Sequence, residues 1–289
     1  MFEQLGLIGC GLMGGSFALA LKRAGLVKRV VGYSKSPSTT ERARSMGVID
    51  VEAPSALQAV SGSDIVLLAV PVAATEPTLK AIRHLVTRDI LIMDVGSTKR
   101  DVVDAARRVL RDHLGSFVPA HPITGKELSG VEHADPDLYH GKQVILTPIE
   151  KTQTAHLKRA QALWEGLGCH VQQMAPDSHD AAFAAVSHLP HLVAFALIHA
   201  IENQPRGKDF LGLAGPGFRD FTRIAASDPK IWRDILLSNR LELVEQAKLF
   251  QRSLTNMLQL AETGEGEKLE AMIAQASEVR SNWHLGRKK

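Results

Sequence analysis

Three short runs of this 289-residue chain end in residues that can do chemistry, and each follows an apolar stretch. ILIMDV leads into Gly96-Ser97-Thr98-Lys99, and SFVPA leads into His121-Pro122-Ile123-Thr124-Gly125-Lys126-Glu127. DIVLLAV ends at Val70 and meets the stiff turn Pro71-Val72. A histidine held extended by a following proline offers a neutral imidazole near physiological pH, suited to general-base work. Ser97 either serves the same site or merely caps the next helix. Further on, His188 and His191 in Ser187-His188-Leu189-Pro190-His191 share one side of a helix. No HExxH, cysteine or carboxylate accompanies them at ligand spacing, so no metal is expected. Pro190, inside an apolar helix, is expected to kink it around a small-molecule pocket. Finally, GPGF delivers Arg219 and Arg223 four apart, and either guanidinium suits a carboxylate through paired hydrogen bonds.

The chain opens with Gly9-Cys10-Gly11-Leu12-Met13-Gly14 between an apolar run and a helical pattern. Glycines at this spacing permit a tight turn and close approach of backbone to a pyrophosphate, which then sits at a helix N-terminus. Gly9, Gly11, Leu12, Met13 and Gly14 are therefore candidate cofactor contacts, with Val70, Pro71 and Ser97 facing the same cofactor at neighbouring strand ends. Ser34 stands 20 residues beyond Gly14, where a dinucleotide site expects an acid for the ribose 2′-hydroxyl. A carboxylate there repels a 2′-phosphate. Ser34, Lys35 and Ser36 instead offer hydroxyls and a positive charge, so NADP is the expected cofactor and NAD the alternative.

These residues need a frame. Leu5–Ile8, Arg29–Tyr33, Asp64–Val70, Ile90–Asp94, Phe117–Ala120, Gln143–Thr147 and Cys169–Met174 read as strands. Ser16–Ala24, Thr75–Leu85 and Arg100–Leu114 have helical spacing. The alternation predicts an α/β protein with a Rossmann-type, doubly wound parallel sheet. After Pro176 the strands stop. Asp228 and Pro229 start a helix that runs to about Ala261, pauses at TGEGE and resumes to about Asn282. The expected division is a dinucleotide-binding domain over 1–174 and an all-helical substrate-binding and dimerisation domain over 175–289. Recurring apolar positions in the last helices favour a homodimer.

Composition excludes several classes. The net charge of +3 is dispersed, with no basic block beyond the terminal GRKK, so no nucleic-acid partner is expected. Two distant cysteines make no disulfide framework and point to a reducing, cytoplasmic location. The start enters a strand without a basic leader, so no signal peptide is expected. The most apolar stretch, Leu192–Ile198, is too short to span a bilayer, so no membrane role is expected.

In order along the chain, GLIGCGLMGGSFA, DVGSTK, HPITGKELSGVEHA, SHLPH and GPGFRDFTRIAASDPKIWRDI resemble the prephenate/arogenate dehydrogenases of tyrosine biosynthesis, over residues 5–235. The resemblance implies oxidative decarboxylation of a cyclohexadiene, with hydride passing to a nicotinamide. It implies that His121 takes the hydrogen bond of the ring hydroxyl and that Ser97 orients hydroxyl, histidine and nicotinamide. Arg223 would grip the ring carboxylate and His191 the substrate side chain, with His188 nearby. Thr124 and Gly125 join them as candidate substrate contacts, and Glu127, Asp220 and Trp232 would shape or gate the pocket. It leaves prephenate and arogenate, which differ in their side chains, both open. With no further module after the helices, control by tyrosine is expected at the active site. A β-hydroxyacid dehydrogenase shares the opening motif but relies on an interdomain lysine, and 178–203 contains none. A non-enzymatic NADP-binding module would not need His121, Ser97 and Arg223 together.

Overall fold

Parallel strands buried on both faces need near-continuous apolar runs, and that is how this sheet is built. The structure, a computed structural model, describes residues 1–126 and 128–283. β1 (Phe2–Ile8), α1 (Leu12–Arg23), β2 (Val27–Tyr33), α2 (Pro37–Ser45), β3 (Val51–Glu52), α3 (Ala56–Val60) and β4 (Ile65–Leu68) form the first half. α4 (Thr75–Ile82), β5 (Leu91–Asp94), α5 (Arg100–Leu110) and β6 (Phe117–Val118) complete a six-stranded sheet. Its order is β3-β2-β1-β4-β5-β6, and every pair is parallel. The order reverses between β1 and β4, so a crevice opens at their carboxyl ends. Leu5, Leu7, Ile65, Leu67, Leu91 and Met93 are fully buried in this sheet.

The stretch expected as one strand over 117–120 is two. Pro119 cannot donate to a ladder, and the chain leaves the main sheet there. β7 (Ala120–Pro122) instead pairs antiparallel with β8 (Gln143–Leu146), which pairs in parallel with β9 (His170–Gln173). α6 (Thr154–Gly166) lies between β8 and β9 in sequence. It brings Trp164 against Phe17 of α1, ring centroids 5.0 Å apart, and against Tyr139, 5.3 Å away. The Tyr139 hydroxyl donates to the Met13 carbonyl at 2.7 Å, tying this layer to the first turn of α1.

Helices follow: α7 (Pro176–Phe183), α8 (Leu189–Glu202), α9 (Gly207–Gly212), α10 (Pro216–Thr222) and α11 (Pro229–Ser238). α7 and α8 are one continuous helix, joined by a wide π turn over Ala184–His188. Pro190, expected to kink the helix, stands in the first turn of α8 directly after this widened turn. The run Pro176–Glu202 is 27 residues and, by length and composition, apolar enough to cross a membrane. The expectation of only a short apolar stretch is corrected on that point. About a fifth of its most apolar window is buried, and it also carries the buried His179, Asp180 and His188. Asp228 caps α11 as expected, its carboxylate accepting from the Lys230 and Ile231 amides at 2.9 and 3.0 Å.

By compactness the chain divides after Asn239. Residues 1–239 form one unit, in which α7 packs against α5 and α11 against the short turn Val72–Ala74. Residues 240–289 form the other, with α12 (Arg240–Glu262) and α13 (Gly266–Asn282) in contact with each other. Leu241, Val244, Phe250, Leu254, Leu258 and Ile273 are exposed on these two helices.

Candidate active site

The glycine loop is shaped for a group that is not protein. Gly9 has φ +97°, and a Cβ there would meet the Ala69 carbonyl oxygen at 2.1 Å. A Cβ on Gly14 would lie 2.0 Å from the Gly9 carbonyl oxygen, so this glycine lets α1 pack against the loop. Gly11 is different: a Cβ there meets nothing within 4 Å. No packing demand explains it, and it sits at the start of α1, where no side chain caps the first amides. Open space above uncapped amides, including those of Leu12 and Met13, fits a pyrophosphate.

Ser34 accepts the Cys10 amide at 2.8 Å, which ties the end of β2 to this loop and leaves its own proton to donate. Lys35 and Ser36 are exposed, and Ser36 and Ser38 lie 2.9 Å apart through their hydroxyls at the start of α2. Cys10 is buried, which pushes its thiol up to about 11 and keeps it protonated. Val70 is half-buried and Pro71 exposed at the end of β4, beside the Val72–Ala74 turn on which α11 packs.

Beyond β5 and β7 lies a buried polar cluster. His121 Nδ1 is 2.8 Å from His179 Nε2, and His179 Nδ1 is 2.8 Å from the Asp180 carboxylate. A carboxylate only accepts, so His179 carries its proton on Nδ1 and its Nε2 accepts from His121 Nδ1. The His121 proton is thereby held on Nδ1. Its Nε2 is left with a lone pair, ready to take a proton.

Burial and the nearby His179, Lys99 and His188 charges hold the His121 imidazolium well below its ordinary range, so the ring is neutral. The imidazole expected to be poised near physiological pH is thus shifted further towards its neutral form by the fold. Burial also depresses His179, against the opposing pull of Asp180. Burial alone would raise Asp180, but hydrogen bonds from His179 and from the Arg100 and Lys99 amides outweigh it and lower it.

The Asp180 carboxylate takes the capping role that Ser97 could have had. It accepts the Lys99 amide at 2.8 Å and the Arg100 amide at 2.9 Å, and so caps α5 from a distance of 80 residues in sequence. Ser97 is therefore not the cap; it is half-buried, and no side chain caps α5 from within its own segment. Lys99 is fully buried and paired with Asp94, and donates to the Ala120 carbonyl at 2.7 Å. Asp94 accepts the Ala120 amide at 3.0 Å and the Gly96 amide at 2.8 Å. Asp94 and Lys99 thus clamp both backbone groups of the residue before His121, and join the Ser97 loop to His121.

The two histidines of SHLPH differ. His188 is buried, with Nδ1 3.1 Å from the Asn239 side-chain nitrogen and Nε2 without a partner among the described residues. His191 is half-buried, its Nδ1 2.8 Å from the Ser187 carbonyl, and stacks on Trp232 with centroids 3.4 Å apart. Burial pushes His188 down to about 4 and also lowers His191. Trp232 lies 6.3 Å from His188 as well, so α11 closes one side of the pair.

Other expected residues are less central. Thr124 donates its hydroxyl to the Leu138 carbonyl at 3.1 Å, and Gly125 is exposed with open space around its Cα. Glu127 lies outside the described residues. Arg223 is exposed in the turn Arg223–Ala226, which packs on α8. α10 ends one residue before it, so Arg219 and Arg223 do not share one α-helix as expected. Arg219 and Asp220 are exposed and paired with each other at 3.0 Å, outside the buried cluster. Among the described residues no group of histidine, cysteine and acidic side chains could hold a metal.

His179, Asp180, Lys99, Asp94 and Asn239 were not read as site residues from sequence. Positions 177, 180, 188 and 191 do fall on one face at helical spacing, and that is the signal the sequence offered for Asp180.

The description "Prephenate dehydrogenase, nucleotide-binding domain" fits residues 17–173, and "Prephenate dehydrogenase, dimerization domain" fits residues 175–275. The chain is 36% identical to the prephenate dehydrogenase of Bacillus subtilis, covering all of this chain and 78% of that protein. It is 31% identical to the cyclohexadienyl dehydrogenase of Zymomonas mobilis, covering 97% of this chain and 96% of that one. Its structure superposes with a TM-score of 0.91 on the prephenate dehydrogenase of A. aeolicus in complex with hydroxyphenyl propionate and NAD+. Those two are 37% identical, over 97% of this chain and 98% of the other. A Rossmann-type sheet with a nucleotide-ready glycine loop, a buried neutral histidine beyond its strand ends and similarity along the whole chain lead to one conclusion: this chain belongs to the prephenate dehydrogenase family.

Proposed function

We propose that this protein oxidises and decarboxylates prephenate to 4-hydroxyphenylpyruvate in tyrosine biosynthesis, with NADP as the preferred cofactor. The observation that carries the mechanism is the chain Asp180–His179–His121, which leaves His121 Nε2 as a neutral acceptor. His121 takes the proton of the ring hydroxyl as hydride departs from the carbon that bears it; the ring carboxylate leaves as carbon dioxide, and the phenolate so formed takes the proton back from His121. A nicotinamide, when bound, supplies the hydride acceptor. Loss of carbon dioxide makes the ring aromatic, so the protein's task is chiefly orientation and removal of one proton.

Ser97, freed from capping by Asp180, orients the hydroxyl against His121; its half-buried position at the β5 end supports this. Arg223 holds the ring carboxylate, supported by the packing of its turn on the helix of His188 and His191. His191, backed by Trp232, contacts the substrate side chain, with His188 beside it. Arogenate, with an amino acid side chain, is the second substrate of the same pocket.

NADP over NAD rests on Ser34, Lys35 and Ser36 standing where a carboxylate would repel a 2′-phosphate. Among the described residues Lys35 has no ion-pair partner to neutralise it. Residues 1–174 hold the cofactor and 175–289 bind substrate and dimerise. The exposed apolar side chains of α12 and α13 support a homodimer, since a stable monomer rarely leaves so many uncovered. Two buried, unpaired cysteines agree with a cytoplasmic location.

The test is the initial rate of reduced-nicotinamide formation from prephenate, with NADP and NAD at matched concentrations. A clear NADP preference is expected. An NAD preference would refute the phosphate argument, and no rate with either cofactor would refute the prephenate assignment.

A further inference from the structure

We infer that Asn239 is a positioning residue of this site: it holds the His188 imidazole in the tautomer protonated on Nε2, making it a neutral hydrogen-bond donor to an oxygen of the bound substrate. The substrate part of this rests on the reaction proposed above; the tautomer does not.

Asn239 follows α11 and is 2% exposed. Its side-chain nitrogen lies 2.7 Å from the Asp180 carbonyl oxygen and 3.1 Å from His188 Nδ1. A backbone carbonyl only accepts, so the amide atom facing it at that distance must be the NH2 group; the flipped orientation would oppose two oxygens. One N–H is spent on Asp180. The other faces His188 Nδ1, which must accept it. A neutral imidazole that accepts at Nδ1 carries its proton on Nε2.

That Nε2–H is buried and has no partner among the described residues. It belongs to the same cluster as His121 and His179 and lies beside Trp232. A carbonyl or carboxylate oxygen satisfies such a donor; an ammonium group does not. His191, three residues on, has the opposite role. Its Nδ1 faces the Ser187 carbonyl and must donate, so its neutral Nε2 accepts. One donor and one acceptor thus stand on the same helix face, an asymmetry that two identical residue letters conceal. Asn239 also ties the donor to the base, because the carbonyl it holds is that of Asp180, whose carboxylate orients His179.

Nitrogen NMR on histidine-labelled protein tests the tautomer directly, with His188→Gln assigning the signals. The expected result is His188 as the Nε2–H tautomer in the native chain. In Asn239→Asp, where the carboxylate must accept, the His188 proton moves to Nδ1 or the ring becomes doubly protonated. An Nδ1–H tautomer in the native chain would overturn the inference, whether or not the Asp variant folds. Kinetics with prephenate test the consequence. Asn239→Ala lowers kcat/KM about tenfold or more, and in a His188→Gln background its further loss is well short of additive. Fully additive losses would show that Asn239 acts other than through His188. A chain with no prephenate activity would fail the proposed reaction, while the NMR result would still decide the tautomer.

Discussion

Replacing His179 by Phe removes the acceptor that keeps the His121 proton on Nδ1, 2.8 Å away, while leaving His121 in place. A buried donor left unsatisfied costs about 1–3 kcal/mol. His121 avoids that cost only by carrying its proton on Nε2, where it blocks the base. The competent tautomer is therefore disfavoured by that amount, and kcat falls roughly 5- to 150-fold. KM changes little, because the interaction lost is one made as the hydroxyl proton moves. His179→Gln is the matched control: its side-chain oxygen reaches about as far as the imidazole Nε2 and can accept the same N–H. It loses the link to Asp180 but keeps the tautomer, so it retains most of the turnover. The assay is steady-state formation of reduced nicotinamide from prephenate, with circular dichroism to confirm folding of both variants. A Phe variant within about twofold of wild type would refute the reasoning. So would a Gln variant as slow as Phe.

Three further outcomes follow from the same geometry. Gly11→Ala folds normally, with nothing within 4 Å of the new Cβ, yet weakens nucleotide binding about tenfold or more in a fluorescence titration; Gly14→Ala, whose Cβ would meet the Gly9 carbonyl at 2.0 Å, loses thermal stability instead. Lys35→Ala lowers kcat/KM with NADP about tenfold and leaves NAD unchanged, and equal losses with both cofactors would remove Lys35 from the phosphate site. His188, pushed down to about 4 in the fold, binds its proton more readily in the unfolded chain, near 6.5. Its neutral form therefore contributes stability in full above about pH 6.5, and about 3 kcal/mol of it is lost as pH falls towards 4. Urea midpoints measured at neutral pH and near pH 4 should fall less steeply with acid in His188→Gln.

Local patterns in the chain were legible because local physics sets them. The apolar runs around Leu7, Leu67 and Met93 became parallel strands, and Asp228-Pro229 opened α11 through a side-chain cap three residues long. Gly9 and Gly14 announced the nucleotide loop because only glycine fits their contacts. Longer-range pairings were not legible. Asp180 caps α5 across about 80 residues and His179 meets His121 across 58, and no local spacing records such pairings. Pro119 split a strand between two sheets, which an apolar run alone does not reveal. The widened turn just before Pro190 was not legible either, because no local spacing marks a π turn. His121 stood out in the sequence by its place before Pro122, but the lowering of its pKa comes from burial among His179, Lys99 and His188, which only the folded chain brings together.

The central claim is that His121 is the base, and the most direct test is kcat and KM of His121→Asn with prephenate. Turnover lower by a factor on the order of a hundred, with KM within a few-fold of wild type, is the predicted result. Turnover near that of wild type would contradict the account and remove the proton-accepting role from His121.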